Sequence, residues 1–364
     1  MLRTLGLLAL CFATRGVPEE PLPKKLEEPP VYGLLPMRFV GGGPDSVEYL
    51  LDLIQLGLEG RGAQFVPAAR VAEVLRNHRI RQTDSLSVDA ARILGNETEV
   101  RYLVAGTLLD YALEPTPRMA IALHLVDART GHRAHSCLVS LRGVDFKGLL
   151  GLGEIDEIDS LTLEVAARLL EDFDEAGWPA LPERESLESS LPGDSLGRFM
   201  RSDYAPRELE RIAVLPFVNR TNRRDAGRLF GEVMGHQWFR TAGVDVVESS
   251  ELRAALVRQR VRSLDLLDEA VLRRVGDDLG VRYFLLGSVD RFETSTYSRG
   301  AFAPELEVSA RLLDVVQSRV VASGSIQRRG NDYHYLLGLG NVGDLTSLAD
   351  RVARELVALM GVKP

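Results

Sequence analysis

Residues 281–287 read VRYFLLG, and residues 100–106 read VRYLVAG. In both stretches an Arg-Tyr pair leads into a run of apolar residues that ends at a glycine, which is typical of a buried strand entering a turn. Their similarity indicates that one structural unit is written twice in the chain. The distance between the two copies is far longer than a solenoid repeat, so the pattern indicates a duplicated domain.

Three further pairs of matching stretches occur in the same order in both halves. LPMRF at 35–39 corresponds to LPF at 215–217, VD at 126–127 corresponds to LD at 313–314, and LLGLG occurs identically at 149–153 and 336–340. One such match could arise by chance, but four in the same order at a nearly constant offset are not expected by chance. We therefore interpret the chain as a tandem duplication.

The spacing of apolar residues predicts the same order of elements in each unit: strand, helix, short strand, two helices, three longer strands and a final helix. The first five elements are predicted at 33–40, 47–58, 64–66, 70–76 and 88–94 in one copy, and at 211–218, 229–241, 245–247, 251–259 and 269–279 in the other. Residues 119–127 and 305–314 alternate between apolar and polar, as half-buried antiparallel strands do. The predicted class is α/β: two tandem copies of a small mixed-sheet α/β sandwich domain packed with helices.

The final helix of the second unit places Leu348, Val352, Leu356 and Met360 on one face by helical spacing. Between the units, a stretch rich in Pro, Ser, Glu and Arg interrupts the periodicity and predicts a linker with at most a short helix. The predicted organisation is a leader at 1–13, a flexible tether at 14–30, a first domain at 31–173, a linker at 174–209 and a second domain at 210–362.

The N-terminus has the features of an export signal. Arg3 precedes a short apolar run, Leu5–Ala13. This run fits the core of a secretory signal and is too short to span a bilayer as a helix, which needs about 20 apolar residues. Within it, Leu8–Cys11 is similar to a bacterial lipobox, which makes Cys11 a candidate for lipidation. Leu10 stands where a small residue is usual, and cleavage after Ala13 is the alternative.

The second unit carries the stretches that can be assigned to a family. IAVLPFVNRT at 212–221 opens it, VVE at 246–248 ends the next strand, LGVRYFLLGSV follows at 279–289, and ARLLD stands at 310–314. This succession resembles the CsgG/LpoB-like superfamily of bacterial envelope lipoproteins, which includes the curli secretion component, the penicillin-binding-protein activator LpoB and the flagellar FlgO proteins. The first unit resembles a diverged copy. The resemblance covers most of the chain outside leader and linker, and implies scaffold, activator or pore roles without catalytic residues.

The curli component forms a pore from long hairpins inserted in this domain, and the corresponding stretches here are 108–118 and 290–304. A membrane strand needs about 9–11 residues, so a hairpin needs roughly twice that plus a turn. The first stretch is too short and contains two prolines, and the second is polar. The sequence therefore favours a soluble periplasmic body, with an oligomeric secretion or transport pore as the alternative.

Net charge and cysteine content limit the classes of partner and the covalent crosslinks that the chain can have. The formal net charge is -8 at pH 7, whereas nucleic-acid binding favours a basic patch, so we expect no nucleic-acid partner. The two cysteines, Cys11 and Cys137, provide no disulfide framework, because Cys11 lies in the leader. Cys137 is expected to be a small buried residue.

Two glycine-rich stretches match parts of nucleotide-binding motifs. Residues 338–343 read GLGNVG, but a dinucleotide fingerprint needs a following strand with an acidic residue about 20 positions on. Residues 41–43 read GGG without the Gly-Lys-Ser/Thr of a phosphate loop. We expect turns at both places and no cofactor.

Three potential metal ligands, His132, His135 and Cys137, lie close together near a strand. His135 and Cys137 could share a face, but His132 would point the other way. A structural zinc site needs four converging ligands, so we expect no metal. His124 corresponds to Arg311 in the repeat and is expected on the solvent side.

An acidic run, Glu154, Asp156, Glu157 and Asp159, precedes a predicted helix. Carboxylates there complement the positive end of the helix dipole, so a solvated cap is the expected role. The sequence contains no nucleophile elbow, kinase set or zinc-protease motif. We therefore expect no catalytic residues and no enzymatic activity.

Leader, tether and duplication together predict a non-catalytic lipoprotein of the bacterial cell envelope, facing the periplasm and anchored in the outer membrane through a lipid at Cys11. It would bind and position or activate periplasmic or outer-membrane protein partners. Besides the pore, a small-molecule-sensing or enzymatic periplasmic protein is an alternative. Self-association through sheet edges into a homo-oligomer is left open by the pattern.

Overall fold

The computed structural model describes residues 30–39, 44–147, 152–175, 195–204, 209–261, 268–297, 301–333 and 341–361. The leader, nearly all of the tether and Cys11 lie outside the described residues. Within them the chain forms two mixed β-sheets with helices on both faces, which confirms the predicted α/β class with two sheet-containing halves. We call residues 30–175 the first unit and residues 195–361 the second unit.

The described part of the first unit contains a six-stranded sheet and four helices. The strands are β1 (Val31–Leu34), β2 (Arg38–Phe39), β3 (Gln64–Phe65), β4 (Tyr102–Ala112), β5 (Arg118–Asp127) and β6 (Arg133–Arg142), and the helices are α1 (Pro44–Glu59), α2 (Ala68–Asn77), α3 (Val88–Thr98) and α4 (Ile158–Glu175). The strand order is β3-β1-β4-β5-β6, with β2 also paired to β4. Strand β1 runs parallel to β3 and β4, and β4, β5 and β6 are antiparallel.

The second unit repeats this arrangement with a seven-stranded sheet. The strands are β7 (Ser195–Met200), β8 (Arg211–Val214), β9 (Val218–Asn219), β10 (Asp245–Val246), β11 (Tyr283–Tyr297), β12 (Ala301–Asp314) and β13 (Arg319–Arg329), and the helices are α5 (Ala226–Ala242), α6 (Ser249–Arg258), α7 (Glu269–Leu279) and α8 (Leu345–Leu359). The order is β10-β8-β11-β12-β13-β7, with β9 also paired to β11. Apart from β7, the order matches that of the first sheet.

The repeated Arg-Tyr stretch starts the long central strand of each sheet. Arg101 Nη2 lies 2.8 Å from Asp127 Oδ2, and Arg282 Nη2 lies 2.7 Å from Asp314 Oδ2. Each pair joins the start of the central strand to the end of its antiparallel neighbour. The Asp that ends the matching Val-Asp and Leu-Asp stretches thus forms the same ion pair in both units.

The glycine that ends each repeated stretch is required by packing. A Cβ at Gly106 would lie 3.1 Å from Met37 Cε, and a Cβ at Gly287 would lie 2.2 Å from Phe217 Cε1. Met37 and Phe217 come from the two matching Leu-Pro segments. The glycine and the Leu-Pro segment of the repeat therefore lie against each other in both units, and the missing Cβ leaves room for the side chain above it.

The predicted opening strand of each domain is two short strands rather than one. The sequence predicts single strands at 33–40 and 211–218, whereas the structure shows β1 and β2 in the first unit and β8 and β9 in the second. Pro36 and Pro216 lie in the two breaks. Proline has no N–H to donate to a ladder, so the pairing is interrupted there.

Helix ends follow local capping chemistry. The side chains of Ser87, Asp268 and Asp344 each accept a hydrogen bond from the backbone amide three residues on, at the starts of α3, α7 and α8. Gly243 and Gly280 end α5 and α7 in the left-handed conformation. These residues determine where α3, α7 and α8 begin and where α5 and α7 end.

Four apolar clusters fill the layers. In the first unit, α1 and α4 pack on one face of the sheet and α2 and α3 on the other; in the second, α5 and α8 take the first role and α6 and α7 the second. The predicted shared face of the last helix is confirmed, because Leu348, Val352, Leu356 and Met360 are all fully buried.

Part of the predicted linker is structured. Strand β7 lies within the predicted linker at 174–209 and pairs antiparallel with β13, where the sequence predicts at most a short helix. It covers the edge of β13, which would otherwise offer unpaired backbone groups. The predicted domain boundaries themselves stay a prediction.

Candidate functional site at the junction of the two units

Helix α5 is buried on both of its sides, which makes it the centre of the junction. Its residues are buried almost all round, including Phe230, Val233 and Trp238. The apolar cluster that contains them also contains Leu109 and Ala122 of the first sheet. The helix therefore belongs to two cores at once, its own unit's and that of the first unit.

A buried polar network crosses this junction. Ser136 Oγ lies 3.0 Å from His124 Nδ1 and 2.8 Å from His236 Nδ1. His124 Nε2 is hydrogen-bonded to the Glu232 carboxylate. Two strands of the first unit and one helix of the second supply these groups. Because unpaired polar groups are costly to bury, the network fixes the position of α5 on the first sheet.

Burial and neighbouring charges shift the pKa values in this network. Burial favours a higher pKa for Glu232, but the neighbouring His124 and Arg133 have the larger, opposite effect. The pKa is lowered to about 2, so the carboxylate is charged. Burial, followed by the positive charge of Arg240, lowers the pKa of His236 well below its usual value. A neutral His236 imidazole and a charged Glu232 carboxylate are thus the stable forms near neutral pH.

Ser136, His124 and Glu232 have the residue types and order of a serine-hydrolase triad. Their setting does not support that chemistry. Ser136 is fully buried and His124 is 1 % exposed, both beneath α5, so no substrate can approach the hydroxyl. The hydroxyl also contacts a second imidazole, that of His236. The three residues are best explained as part of the junction.

The expected solvent position of His124 is wrong. The prediction rested on the correspondence of His124 with Arg311, which is indeed exposed in the second unit. In the first unit, α5 covers the same face of the sheet and removes His124 from water. Corresponding positions of the repeat therefore differ in burial because only one of the two faces is covered.

A buried ion pair lies beside the network. Arg133 Nε donates to Glu248 Oε1 at 2.9 Å, and the two side chains are 4 % and 3 % exposed. Burial lowers the pKa of Arg133, but Glu248, Glu232 and Asp245 outweigh it and raise the pKa above its usual value. Breaking such a buried pair leaves an uncompensated charge, so it locks the relative position of the units.

His135, Cys137 and Asp172 meet at the other side of β6. One potential ligand atom from each lies within 4.8 Å of the other two, so the predicted shared face of His135 and Cys137 is observed. Arg240 of the second unit places Nη2 2.9 Å from Asp172 Oδ1, and His135 Nε2 lies 3.1 Å from Asp172 Oδ2. Burial and Asp172 raise the pKa of the Cys137 thiol well above its usual value.

This cluster is a poor fit for a metal. A guanidinium already neutralises the Asp172 carboxylate, and the thiol is held protonated, whereas zinc requires a thiolate. His132, the third candidate of the sequence, points elsewhere and lies 3.0 Å from Asp245 Oδ2. The arrangement is explained as another link between the units, from Arg240 on α5 to Asp172 on α4.

Further hydrogen bonds join the units along the rest of the junction. Ser250 N donates to Ser85 Oγ at 3.0 Å, and Val88 N donates to Glu251 Oε2 at 2.9 Å. At the opposite end, Ser140 Oγ donates to Asp344 Oδ1 at 2.9 Å, so the carboxylate that caps α8 also binds the first sheet. These bonds extend the contact between the units from α5 to α6 and to the start of α8.

A cavity of about 300 Å³ remains between the units. Its walls are largely apolar and include Leu109, Leu215, Leu229, Val247 and Leu252, with Gly231 and Gly235 of α5. Arg133 also lines it, and among the described residues Arg133 Nη1 has no hydrogen-bond partner. At the rim, Arg38 Nη1 lies 3.1 Å from Asp84 Oδ2.

The remaining candidate residues have structural roles or lie outside the described part. Lys147 Nζ lies 2.7 Å from Glu154 Oε2, and Asp159 stands in the first turn of α4, as a cap does. Residues 41–43 and the first half of the GLGNVG stretch, 338–340, lie outside the described residues. The sequence reasoning missed Ser136, Glu232 and Glu248, although the absence of a fully charged face on α5 was a signal of burial on both sides.

No protein-family model matches the chain, and no curated protein matches it. Several solved bacterial structures are similar to it. The PelC dodecamer from Paraburkholderia phytofirmans is 18% identical, with a TM-score of 0.32, over 46% of this chain and 97% of that one. Lipoprotein GNA1162 from Neisseria meningitidis is 18% identical, with a TM-score of 0.31, over 40% of this chain and 96% of that one. The LpoB C-terminal domain from Escherichia coli is 18% identical, with a TM-score of 0.22, over 33% of this chain and 83% of that one.

Each of these similarities covers less than half of this chain. LpoB also belongs to the family that the sequence resembles. The identities and TM-scores are low, so no family, activity or partner is transferred from these proteins to this chain.

Proposed function

We propose that the chain is a non-catalytic, membrane-tethered protein of the bacterial envelope that binds protein partners and positions or activates them. The junction carries the proposal. Its serine, histidine, arginine and carboxylate side chains, which could serve catalysis elsewhere, bond to one another and hold two units together. Such an arrangement presents defined surfaces to other proteins and leaves these polar groups unavailable to a substrate.

Attachment to the membrane is proposed through Cys11. The leader has a lipobox-like end at Cys11, and the polar tether that follows would keep the body away from the membrane surface. Among the described residues, no helix is long and apolar enough to cross a bilayer. The outer membrane is the proposed site of anchoring.

Mass spectrometry of the mature N-terminus tests the attachment directly. The full-length chain is expressed in a bacterium that processes lipoproteins, and the membrane and soluble fractions are separated. We expect a diacylated or triacylated Cys11 and recovery in the membrane fraction. A Cys11→Ser variant is the control and should be released from the membrane. An intact Met1 on a cytoplasmic product would refute export and tethering.

Crosslinking in intact cells tests partner binding. We expect the tethered wild-type chain to yield discrete crosslinks to envelope proteins that are lost when Ala122→Asp disturbs the junction. The control is Ser309→Asp, the corresponding change on the exposed face of the second sheet. Equal crosslinks from both variants would show that the joined body is not what partners recognise.

Sensing of a small molecule is the second candidate, and the cavity favours it. Its volume of about 300 Å³ is at the lower end of known small-ligand pockets. Apolar walls and the unpartnered Arg133 Nη1 suit a compound with an apolar body and a hydrogen-bond acceptor. At Gly235 a Cβ would meet only Val246, at 3.5 Å, so a larger side chain there would enter the free space.

A thermal-shift screen with small amphiphilic acids and esters tests this second candidate. A compound that raises the melting temperature of the wild type should have no effect on Gly235→Leu, whose side chain fills the cavity. Gly197→Leu, at an open position of β7, is the control and should keep the response. A screen without any stabilising compound would count against sensing and leave the envelope role untouched.

A further inference from the structure

The second sheet has an open face at the position where the first sheet holds α5. One row across this face contains Leu286, Arg311, Ser323 and Phe199, which are paired in register on β11, β12, β13 and β7. Together with neighbouring residues they line a shallow groove. Arg311 and Phe199 are exposed, and Phe199 is 47 % exposed.

The register shows that this row is the counterpart of the covered row in the first sheet. In the first sheet, His124 pairs with Ala105 on one side and Ser136 on the other. In the second, Arg311 pairs with Leu286 and Ser323 in the same way. Arg311 therefore occupies the position of His124, whose imidazole is hydrogen-bonded to Glu232 of α5.

Helix α1 is the counterpart of α5 and has an exposed outer side. Leu50, Ile54 and Leu58 of α1 are buried against its own sheet, as Phe230, Met234 and Trp238 of α5 are against theirs. Asp52 stands two residues after Leu50, and Glu232 stands two residues after Phe230. Asp52 of α1 therefore occupies the position of Glu232 of α5.

The two exposed counterparts carry opposite charges. Asp52 and Arg311 are both exposed. Apolar side chains accompany each charge. Tyr49 and Leu56 of α1 are 38 % and 67 % exposed, and Phe199 lies in the same row as Arg311. Charge and apolar surface on the two sides are thus complementary.

We propose that copies of this chain associate head to tail, with the outer side of α1 of one copy seated on the open face of the second sheet of the next, and Asp52 of one copy paired with Arg311 of the other. The contact repeats the junction that joins the two units within the chain. It is heterologous, so it continues from copy to copy and builds a ring or an open filament. The proposal does not depend on the proposed envelope role.

This contact is weaker than the internal junction for a reason visible in the sheets. Where the first sheet presents Leu109 and Ala122 to α5, the second presents Asp290 and Ser309 at the corresponding positions. These polar residues are solvated in a single copy and must lose water on association. Association is therefore reversible and depends on protein concentration and salt.

Sedimentation velocity of the full-length chain at increasing protein concentration tests the proposal. The wild type should move from monomer to larger species, and high salt should shift it back. Asp52→Arg alone and Arg311→Asp alone should each weaken association about tenfold or more, because an attraction becomes a repulsion. Asp277→Arg, an exposed change on α7, is the matched control and should associate like the wild type.

Mixing the two variants separates a lost contact from a misfolded chain. An equimolar mixture of Asp52→Arg and Arg311→Asp places opposite charges at every contact, so association should return to the wild-type level in an alternating order. A wild type that stays monomeric at high micromolar concentration would overturn the proposal. So would single variants that associate like the wild type, or a mixture that associates no better than either variant alone.

Discussion

Helices α1 and α5 occupy the same place in two copies of one fold, yet only α5 is buried on both sides. Leu56 on α1 is 67 % exposed, whereas His236, its counterpart on α5, is 6 % exposed. The backbone of the unit does not cause this difference, since both helices lie against their own sheets in the same way. The neighbouring unit causes it, by covering the second side of α5 alone.

The two sheet faces differ in the same sense. The face of the first sheet under α5 carries Ala120 and Ala122, and the corresponding positions of the second sheet carry Glu307 and Ser309. Side chains on a covered face must be apolar or fully hydrogen-bonded, while those on an open face can be solvated. The two units thus differ in sequence where one has a neighbour that the other lacks.

The largest expected effect comes from a carboxylate placed at the same position of both faces. Ala122→Asp would bury an unpaired charge under α5 and should lower the free energy of unfolding by about 3–5 kcal/mol. Ser309→Asp lies on the open face and should change it by less than about 1 kcal/mol. Urea unfolding followed by the fluorescence of the buried Trp238 measures both. Equal losses would mean that the two faces are equally covered.

An intermediate effect is expected from pH. The pKa of His236 is lowered in the folded chain, so below about pH 6.5 the unfolded chain binds more protons and stability falls as the pH falls. Once the unfolded histidine is protonated, the slope approaches about 1.4 kcal/mol per pH unit for this one group. The lowered pKa of Glu232 adds a second loss, between its usual value of 4.5 and about 2.

Denaturant unfolding of the wild type and of His236→Gln at pH 7.5 and pH 5.5 measures this dependence. The variant should lose the part of the slope that belongs to His236. His78→Gln, a change at a half-exposed histidine of the first unit, is the control and should keep it. A slope that persists in His236→Gln would assign the pH dependence to other groups.

The smallest effect is expected on the outer side of α1. Leu56→Ser should change the free energy of unfolding by no more than about 0.5 kcal/mol, because the side chain is mostly exposed. His236→Ala, at the corresponding position of α5, removes a partner of the buried Ser136 hydroxyl and should cost about 1–3 kcal/mol. Unfolding curves at pH 7.5 compare the two. A large loss from Leu56→Ser would indicate that α1 is also covered in solution.

Much of the fold was predictable because it depends on local pattern. The repeated VRY stretches, the alternation in 305–314 and the helical spacing in α8 identify their elements from a single unit. The break at Pro36 and Pro216 was missed because apolar residues on both sides of each proline continue the strand pattern. The edge strand β7 was missed because its six residues lie in a stretch with the composition of a linker. Its pairing with β13 depends on residues far away in the sequence.

The junction was not predictable from the repeat, and the comparison of the two copies led to a wrong prediction for His124. Assigning His124 to solvent by its correspondence with Arg311 assumes that equivalent positions share an environment. Glu232 and His236 lie far from His124 and Ser136 in sequence, and no periodicity within either unit connects them. The one local signal was in α5, where Gly231 and Gly235 stand at positions that a half-exposed helix usually fills with polar side chains.

Because α5 completes the core of both units, neither unit can be removed without exposing the core of the other. A gene shortened to the first copy would encode a sheet whose Leu109 and Ala122 face water, with His124 deprived of its carboxylate. A gene shortened to the second copy would expose one whole side of an apolar helix. We therefore expect neither unit to be stable without the other.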